Sequence, residues 1–283
     1  MLDQILEWGK REKGVRVLLL VGSRGNGRNM DELSDYDISV FGDGFEFIHD
    51  DEWLKQIGSP IVCIHEKFQW GDFQIPTRLT IFEKWLKVDF AFHPLDLLRQ
   101  MVDNQHLQET YDAGFKVLLD KEGLTAHLPK PQFKAYILAK PDQECFAMAQ
   151  REFWFEAWHV AKYLYRKDPW VAKFREDAMK KWLLKMLEWN AAVKMNFTSS
   201  FKTDGQGIGK WADPKYFNRL GDCFPGWNFA DRASALYDSM ELFRDAGTEA
   251  AKLMEYEWLH KSEKDIRSEI NQLIPYQHEQ SKT

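Results

Sequence analysis

The sequence contains few cysteines and no long apolar segment, and both shortages exclude classes of protein. Cys63, Cys145 and Cys223 are the three cysteines among 283 residues, and no two of them form a Cys-x-x-Cys pair. This spacing indicates neither a disulfide framework nor a structural zinc site. The strongest apolar run, residues 17–21, is far shorter than the roughly 20 residues that span a bilayer. Because the first residues also lack the basic segment of a secretory signal, we expect a soluble, unexported protein in a reducing cytoplasm.

An excess of positive charge is also missing. The chain has 38 Lys and Arg against 44 Asp and Glu, which gives a formal net charge of −6 at pH 7. This balance argues against nucleic acid or an anionic membrane as the main partner, because polyanions are bound by basic surfaces. A cationic small molecule is a better electrostatic match. The hydrophobic fraction of 44% is typical of a globular protein, and the sequence indicates no obligatory protein partner.

The first part of the chain, residues 1–131, is predicted to form a mixed sheet with flanking helices, an α+β domain. Short apolar runs of strand length are separated here by Gly, Asp, Asn and Pro. The pair His93-Pro94 predicts the end of a strand, since proline cannot donate a backbone hydrogen bond. We predict strands over 15–21, 36–41 and 61–64, a hairpin of 77–82 with 87–92, and helices over 2–12, 51–57 and 94–102.

The remaining residues, 132–283, are predicted to form an all-α helical bundle. From about residue 142, apolar side chains recur with the 3.6-residue period of a helix. Such wide apolar faces are typical of long helices that pack on one another. The proline-containing segment 128–131 is predicted to link the two domains. The long helices are predicted over 144–166, 171–194 and 231–259.

The segment after the first predicted strand contains the residues that indicate chemistry. That strand ends at Gly22-Ser23, where a small residue, a hydroxyl and unpaired backbone N–H groups allow a phosphate to approach closely. The adjacent Arg24 has a guanidinium that can form forked hydrogen bonds with a phosphate. Asp35 and Asp37 follow, two residues apart on a predicted strand, so both carboxylates are expected on one face. Two such charges repel unless a cation lies between them, and their oxygens favour Mg²⁺.

Asp89 adds a third carboxylate. It lies in the otherwise mostly apolar strand 87–92, where aspartate is disfavoured unless something there requires it. Three aspartates on two strands, beside a Gly-Ser phosphate loop, form the arrangement that two-metal nucleotidyl transfer requires. One ion would hold the triphosphate, and the other would lower the pKa of the attacking hydroxyl.

Plainer interpretations of the aspartates stay open. Asp35 is then the last residue of a turn, and Asp37 faces solvent on an amphipathic strand. Asp89, in the same way, only pairs with a neighbouring cation such as Lys87 or Arg78.

These residues resemble those of a known family. Gly22-Ser23, Asp35-x-Asp37 and Asp89 on a later strand resemble the motif of the nucleotidyltransferase superfamily typified by DNA polymerase beta. Over nearly the whole chain, and in the same order, the sequence is similar to the aminoglycoside 6-adenylyltransferases that modify streptomycin. In the helical part, this similarity is found in segments 152–154, 160–167, 172–174, 187–189 and 197–200.

The resemblance implies a fold, a reaction and site residues. The implied fold is a nucleotidyltransferase domain, residues 1–131, followed by a helical domain, residues 132–283. The implied reaction transfers AMP from ATP to a hydroxyl of an aminoglycoside such as streptomycin, releases pyrophosphate and gives antibiotic resistance. It implies two Mg²⁺ ions. The implied catalytic and metal-binding residues are Asp35, Asp37 and Asp89, and the implied nucleotide-binding residues are Gly22, Ser23, Arg24 and Lys210.

The roles of several residues, and the function itself, have alternative interpretations. Lys210 follows a glycine-rich segment that lacks P-loop spacing, and its plainer interpretation is a solvated loop lysine. Glu152 and Glu156 are either candidates for binding a cationic substrate or ordinary residues of a helix surface. The alternative acceptors are a lincosamide, another small hydroxylated molecule and a protein side chain. A nucleotide-binding module without catalysis is a further interpretation, against which the intact aspartates argue.

Overall fold

The structure of the chain, a computed structural model, describes residues 1–27 and 30–274. Its internal contacts divide the chain into two compact units, Met1–Tyr136 and Ile137–Thr283.

In the described part of the first unit, six strands form one mixed sheet in the order β3-β4-β5-β2-β1-β6. The strands are β1 (Val15–Val21), β2 (Tyr36–Gly42), β3 (Pro60–Trp70), β4 (Phe73–Phe82), β5 (Leu86–Pro94) and β6 (Lys116–Asp120). Strands β2 and β5 are parallel, and the other neighbouring pairs are antiparallel. The helices of this unit are α1 (Leu2–Arg11), α2 (Gly22–Asn26), α3 (Leu95–Asp103) and α4 (Glu109–Asp112). The predicted mixed sheet with flanking helices is therefore confirmed.

The sequence predicts the inner strands better than the edge strands. Helix α1, strands β1 and β2, the hairpin of β4 with β5, and α3 are confirmed. The strand predicted over 61–64 is only the start of β3, strand β6 is not predicted, and residues 52–56 form a short 3₁₀ helix. Strands β3 and β6 lie at the two edges of the sheet, where most of their side chains are exposed or half-buried. Edge strands of this kind lack the apolar pattern that a sequence prediction relies on.

The two faces of the sheet are covered by different clusters. On one face, the ring of Phe90 lies 5.8 Å from the ring of Trp8 in α1 and 5.0 Å from that of Trp53. On the other face, Phe41 and Leu98 belong to an apolar cluster that packs α3 against β1 and β2. Burial on both faces explains the apolar run 17–21 of β1, which does not alternate.

Over residues 137–274 the second unit is helical, as the sequence predicts. Side chains of Asp142, Asp168 and Asn228 accept hydrogen bonds from backbone N–H groups in the first turns of the three long helices. Apolar faces of these helices pack together, and the rings of Phe153 and Phe243 stack with centroids 3.7 Å apart. The helices are α5 (Gln143–Tyr165), α6 (Pro169–Lys194), α7 (Ile208–Trp211), α8 (Pro214–Phe217), α9 (Phe229–Met254) and α10 (His260–Leu273). Among the described helices, none combines the length and the apolar character needed to cross a membrane.

Helices α5 and α6 confirm the predictions over 144–166 and 171–194, whereas the prediction over 231–259 is wrong at its end. Helix α9 stops at Met254, because Glu255 has a left-handed backbone with φ 63° and ψ 41°. Helix α10 then forms separately. The apolar residues after the break continue the expected pattern but pack as a loop, with the ring of Trp258 5.7 Å from that of Phe243. A left-handed glutamate has no sequence signal, unlike the glycine that usually occupies such a position.

Candidate active site

The pairing of β2 with β5 brings two of the predicted aspartates side by side. In this parallel pair, Asp37 is the Cα partner of Asp89. Register partners project from the same face of a sheet, so the two carboxylates share one face. Asp35 lies one residue before β2 rather than within it. Its carboxylate nevertheless joins the group, because Lys87 on β5 contacts both Asp35 and Asp89.

Lys87 holds two of the three carboxylates together. Its Nζ donates to Asp35 Oδ2 and to Asp89 Oδ2, both at 2.7 Å. Burial alone would lower the pKa of Lys87, but the hydrogen bonds and charges of the two aspartates outweigh burial and raise it. The ion pair between Lys87 and Asp89 considered from the sequence is therefore present. However, the same lysine also contacts Asp35, so this ion pair does not separate Asp89 from the other acids.

Asp89 is partly buried, and this burial dominates its ionisation. Burial raises the pKa of the carboxyl, contact with Lys87 lowers it, and the charges of Asp35 and Glu66 raise it again, so the net pKa lies above its usual value. Asp89 Oδ1 is buried, and no other described residue offers it a hydrogen bond. An unpartnered buried oxygen is unfavourable. This atom is therefore well suited to accept a hydrogen bond or a coordination bond from a ligand.

The donor set fits a divalent cation such as Mg²⁺. Asp35, Asp37 and Asp89 supply hard carboxylate oxygens, which Mg²⁺ prefers. The ammonium of Lys87 lies between Asp35 and Asp89, so these two carboxylates already share one positive charge. Asp37 is the register partner of Asp89, and Asp89 Oδ1 is a further oxygen without a partner among the described residues.

Gly22 is required by the carboxylate of Asp37. Its backbone has φ +63°, a conformation that side chains disfavour. A Cβ atom at this position would overlap the Asp37 carboxylate group. The glycine that is predicted to admit a phosphate thus also leaves room for the carboxylate of Asp37, which belongs to the next strand, β2, and lies beside Gly22 in space.

The predicted nucleotide-binding residues are distributed over both units. Ser23 is the second residue of α2, directly after β1. The guanidinium of Arg24 donates through Nε to Ser34 O at 2.7 Å and lies 4.1 Å from the ring centroid of Tyr36. Arg24 therefore fixes the loop that leads into β2. Lys210 is an exposed residue of α7 in the second unit.

The two glutamates of α5 differ in their surroundings. Glu156 is buried, and its Oε1 accepts a hydrogen bond from Arg175 Nη1 at 3.1 Å. This carboxylate already has a cationic partner within its own unit. Glu152 is half-buried on the same helix.

A pocket opens beside the aspartates on the same face of the sheet, and we call it the sheet pocket. Its volume is about 240 Å³. In its buried part, the Tyr111 hydroxyl donates to Ser39 Oγ at 3.1 Å. Burial lowers the pKa of His93 to about 3, so this imidazole is neutral. The residues that line the pocket are Val21, Asp37, Ile38, Ser39, Phe68, Trp70, Thr77, Leu79, Asp89, Phe90, Ala91, His93, Gln108, Thr110 and Tyr111.

Apart from Asp37 and Asp89, sequence reasoning does not find the polar residues of this pocket. It treats His93 only as part of a strand end. The available signal is the alternation along β5, since Asp89, Ala91 and His93 occupy every second position and so share one face. Tyr111 and Ser39 meet across 72 residues of sequence, a separation at which periodicity gives no information.

A second group of potential metal ligands lies elsewhere in the first unit. Asp51, Cys63 and His65 place one ligand atom each within 4.8 Å of one another. His65 Nε2 is 3.0 Å from both carboxylate oxygens of Asp51, and Arg78 Nε is 3.5 Å from Asp51 Oδ1. The Asp51 carboxylate is therefore already paired with cationic or hydrogen-bonding groups.

Comparison with known proteins relates the whole chain to one group of enzymes. The sequence model described as streptomycin adenylyltransferase matches residues 1–273. An aminoglycoside 6-adenylyltransferase of Campylobacter jejuni is 27% identical over 289 residues, which cover 97% of this chain and 95% of that protein. One of Bacillus subtilis (strain 168) is 24% identical over 271 residues and covers 91% of each. The crystal structure of an aminoglycoside 6-adenyltransferase from Bacillus subtilis matches 98% of each chain, with a TM-score of 0.47 and 20% identity.

Proposed function

Because the chain belongs to the streptomycin adenylyltransferase family and is a nucleotidyltransferase, we propose that it transfers AMP from ATP to a hydroxyl of streptomycin or a related aminoglycoside. The observation that carries the proposal is the contact of Asp35 and Asp89 with the ammonium of Lys87, with Asp37 beside Asp89 as its register partner. In the reaction, the acceptor oxygen bonds to the α-phosphorus of ATP and the bond to the β-phosphate breaks. The hydroxyl proton is lost, and pyrophosphate leaves.

We assign the nucleotide and its metal to the predicted N-terminal domain, residues 1–131. Asp35, Asp37 and Asp89 would hold Mg²⁺, with two ions expected. When bound, Mg²⁺ would neutralise the triphosphate and stabilise the charge that develops on it. The end of β1 at Gly22-Ser23 would receive phosphate oxygens, since the first backbone N–H groups of α2 lack partners within the helix.

The remaining residues are assigned by their charge and position. Asp89 would accept the proton of the acceptor hydroxyl, or would have the equivalent effect through the second metal ion, because its Oδ1 has no other partner in the described chain. Arg24 would contribute positive charge to the binding of the triphosphate. A carboxylate-rich site also suits a cationic acceptor, as does the net charge of −6.

One assay tests the proposed reaction. The protein is incubated with ATP, Mg²⁺ and a panel of aminoglycosides, and mass spectrometry records whether the acceptor gains the mass of AMP. We expect the adduct on streptomycin, together with stoichiometric pyrophosphate. Transfer only to a lincosamide, to another hydroxylated molecule or to a protein would show that the acceptor is not an aminoglycoside and would identify its class. Binding of ATP without transfer to any acceptor would indicate a module that lacks catalysis.

We expect ATP to bind at least about tenfold more weakly in EDTA than with Mg²⁺. Three carboxylates against the one ammonium of Lys87 leave an excess of negative charge near the triphosphate, and a repulsion of roughly 1.4 kcal/mol is a tenfold loss of affinity. Isothermal titration calorimetry with and without the ion measures this difference. Equal affinity in the two buffers would mean that the aspartates do not form the nucleotide site.

Gly22→Ala is expected to lower kcat by about 10²-fold, the loss typical of a reactive group displaced by about 1 Å. The new Cβ would push the Asp37 carboxylate out of place. Gly27→Ala is the matched control, because Gly27 has a similar φ of +70° but none of the described residues has an atom within 4 Å of its ideal Cβ. Both variants experience comparable backbone strain, so the thermal unfolding of Gly27→Ala measures the cost of that strain without the contact to Asp37. Equal kcat values in the two variants would contradict the role given to the contact between Gly22 and Asp37.

A further inference from the structure

The sheet pocket begins at the proposed reaction centre, where Val21 of β1, Asp37 of β2 and Asp89 of β5 line it. From there it extends across β5 to Thr77 of β4 and to Phe68 and Trp70 of β3. A group bound at the β3 and β4 end would lie on the other side of β5 from the Gly22-Ser23 turn, which follows β1.

One buried polar atom on each of two pocket residues, His93 and Thr77, lacks a partner among the described residues. His93 is 1% exposed and Thr77 is 7% exposed. Within residues 1–27 and 30–274, neither His93 Nδ1 nor Thr77 Oγ1 has a hydrogen-bond partner. Buried polar atoms are almost always satisfied in folded proteins. These two atoms thus mark a place where a bound molecule would supply hydrogen bonds.

The chemistry of the lining selects the kind of molecule. No lysine or arginine is found among the pocket residues that the structure describes, and two aspartates stand at one end. An anionic triphosphate is therefore disfavoured. The aromatic rings of Phe68 and Trp70 lie 6.0 and 5.1 Å from the imidazole of His93 and offer flat apolar walls. Flat apolar walls with a few neutral hydrogen-bonding groups suit a hydroxylated ring, which has both apolar faces and polar edges.

The size of the pocket limits how much of the acceptor it can hold. A volume of about 240 Å³ is below the range of roughly 300–1,000 Å³ that is typical of pockets for drug-sized ligands. We propose that the sheet pocket binds one hydroxylated ring of the acceptor, with Thr77 and His93 hydrogen-bonding to that ring. This inference rests on the proposed transferase function. It adds Thr77, Ala91 and His93 as residues that determine acceptor binding.

Two variants of the pocket and one control test the assignment. Ala91→Leu fills the pocket between Asp89 and His93, and Thr77→Val removes the unpartnered hydroxyl while keeping the shape of the side chain. Thr80→Val is the matched control, since Thr80 is a second buried threonine of β4, but its Oγ1 donates to Cys63 Sγ at 3.4 Å and it does not line the pocket. Circular dichroism and thermal unfolding verify that each variant folds.

Steady-state kinetics with streptomycin and ATP varied in turn give the readout. We expect the KM for streptomycin to rise about tenfold or more in Ala91→Leu and about fivefold in Thr77→Val, the latter being the loss expected for one hydrogen bond. The KM for ATP should stay within about twofold of wild type in both, and Thr80→Val should change neither constant by more than about twofold. A rise in the KM for ATP alone would assign the pocket to the nucleotide and overturn the proposal.

Failure of the pocket assignment is distinguishable from failure of the proposed function. If the wild type transfers AMP to streptomycin and all variants share its KM, the pocket assignment is wrong while the function stands. If the wild type transfers AMP to no aminoglycoside, the proposed function is wrong. Calorimetry of streptomycin binding then tests the pocket assignment by itself. Weaker binding by Ala91→Leu than by wild type and Thr80→Val would then still support it, whereas equal or absent binding would overturn it.

Discussion

Asp37→Asn is expected to lower kcat for AMP transfer by about 10³-fold or more, the largest effect of any single substitution proposed for this chain. The substitution removes one carboxylate from a proposed metal site in which Asp37 and Asp89 are register partners. An oriented metal ion supplies several kcal/mol of transition-state stabilisation, and each 1.36 kcal/mol corresponds to about tenfold in rate. Asparagine keeps the shape of the side chain, so the close packing against Gly22 is retained.

Asp35→Asn should have a similar effect, because it removes a second ligand and one of the two acceptors of Lys87. Asp43→Asn is the matched control for both variants. Asp43 is exposed and follows Gly42, the last residue of β2, so it lies at the opposite end of the same strand. Single-turnover and steady-state rates, measured with circular dichroism as a check of folding, provide the comparison. Turnover within tenfold of wild type in Asp35→Asn or Asp37→Asn would exclude that residue as a metal ligand.

The sequence predicts the strands that bear the aspartates because local pattern and local chemistry agree there. Strand β1 is continuously apolar from Val17 up to Gly22, and β2 combines an apolar core with polar residues at its start. Asp89 stands out because its strand neighbours Val88 and Phe90 are fully buried. Each of these signals lies within a few residues of the position that it describes, so no knowledge of tertiary pairing is needed.

The contacts that complete the site depend on pairing between distant segments. The bond of Lys87 to Asp35 joins residues 52 apart, and that of Tyr111 to Ser39 joins residues 72 apart. Period-2 alternation says which face a side chain occupies but not which strand lies beside it. The parallel pairing of β2 with β5 supplies that information. For the same reason, Arg24 is predicted from its neighbour Ser23, whereas its observed partner is Ser34 O across the loop.

Asp89→Asn is expected to lower kcat by about 10²-fold or more, the order of a general-base contribution. The affinity for ATP should fall only modestly, because Asp35 and Asp37 remain to bind the nucleotide's metal ion. Lys87 also keeps its hydrogen bond to Asp35 in this variant, so the group should not collapse. Separate measurement of kcat and of the Kd for ATP distinguishes a residue that serves the acceptor from one that serves the nucleotide. A large loss of ATP affinity with little change in kcat would place Asp89 with the nucleotide.

The competing interpretation is that Asp89 only anchors Lys87. In that case Lys87→Met and Asp89→Asn remove the same ion pair, and both should lower stability slightly and leave kcat unchanged. The unpartnered, buried Oδ1 of Asp89 argues against a purely structural role, since an ion-pair residue would need only the Oδ2 that Lys87 contacts. Oδ1 also belongs to the residue at which the sheet pocket meets the aspartate group. A residue that takes the proton of the acceptor hydroxyl requires an unpartnered oxygen beside the acceptor pocket. Asp89→Asn should therefore lower kcat more than it lowers stability. An unchanged kcat would rule this role out.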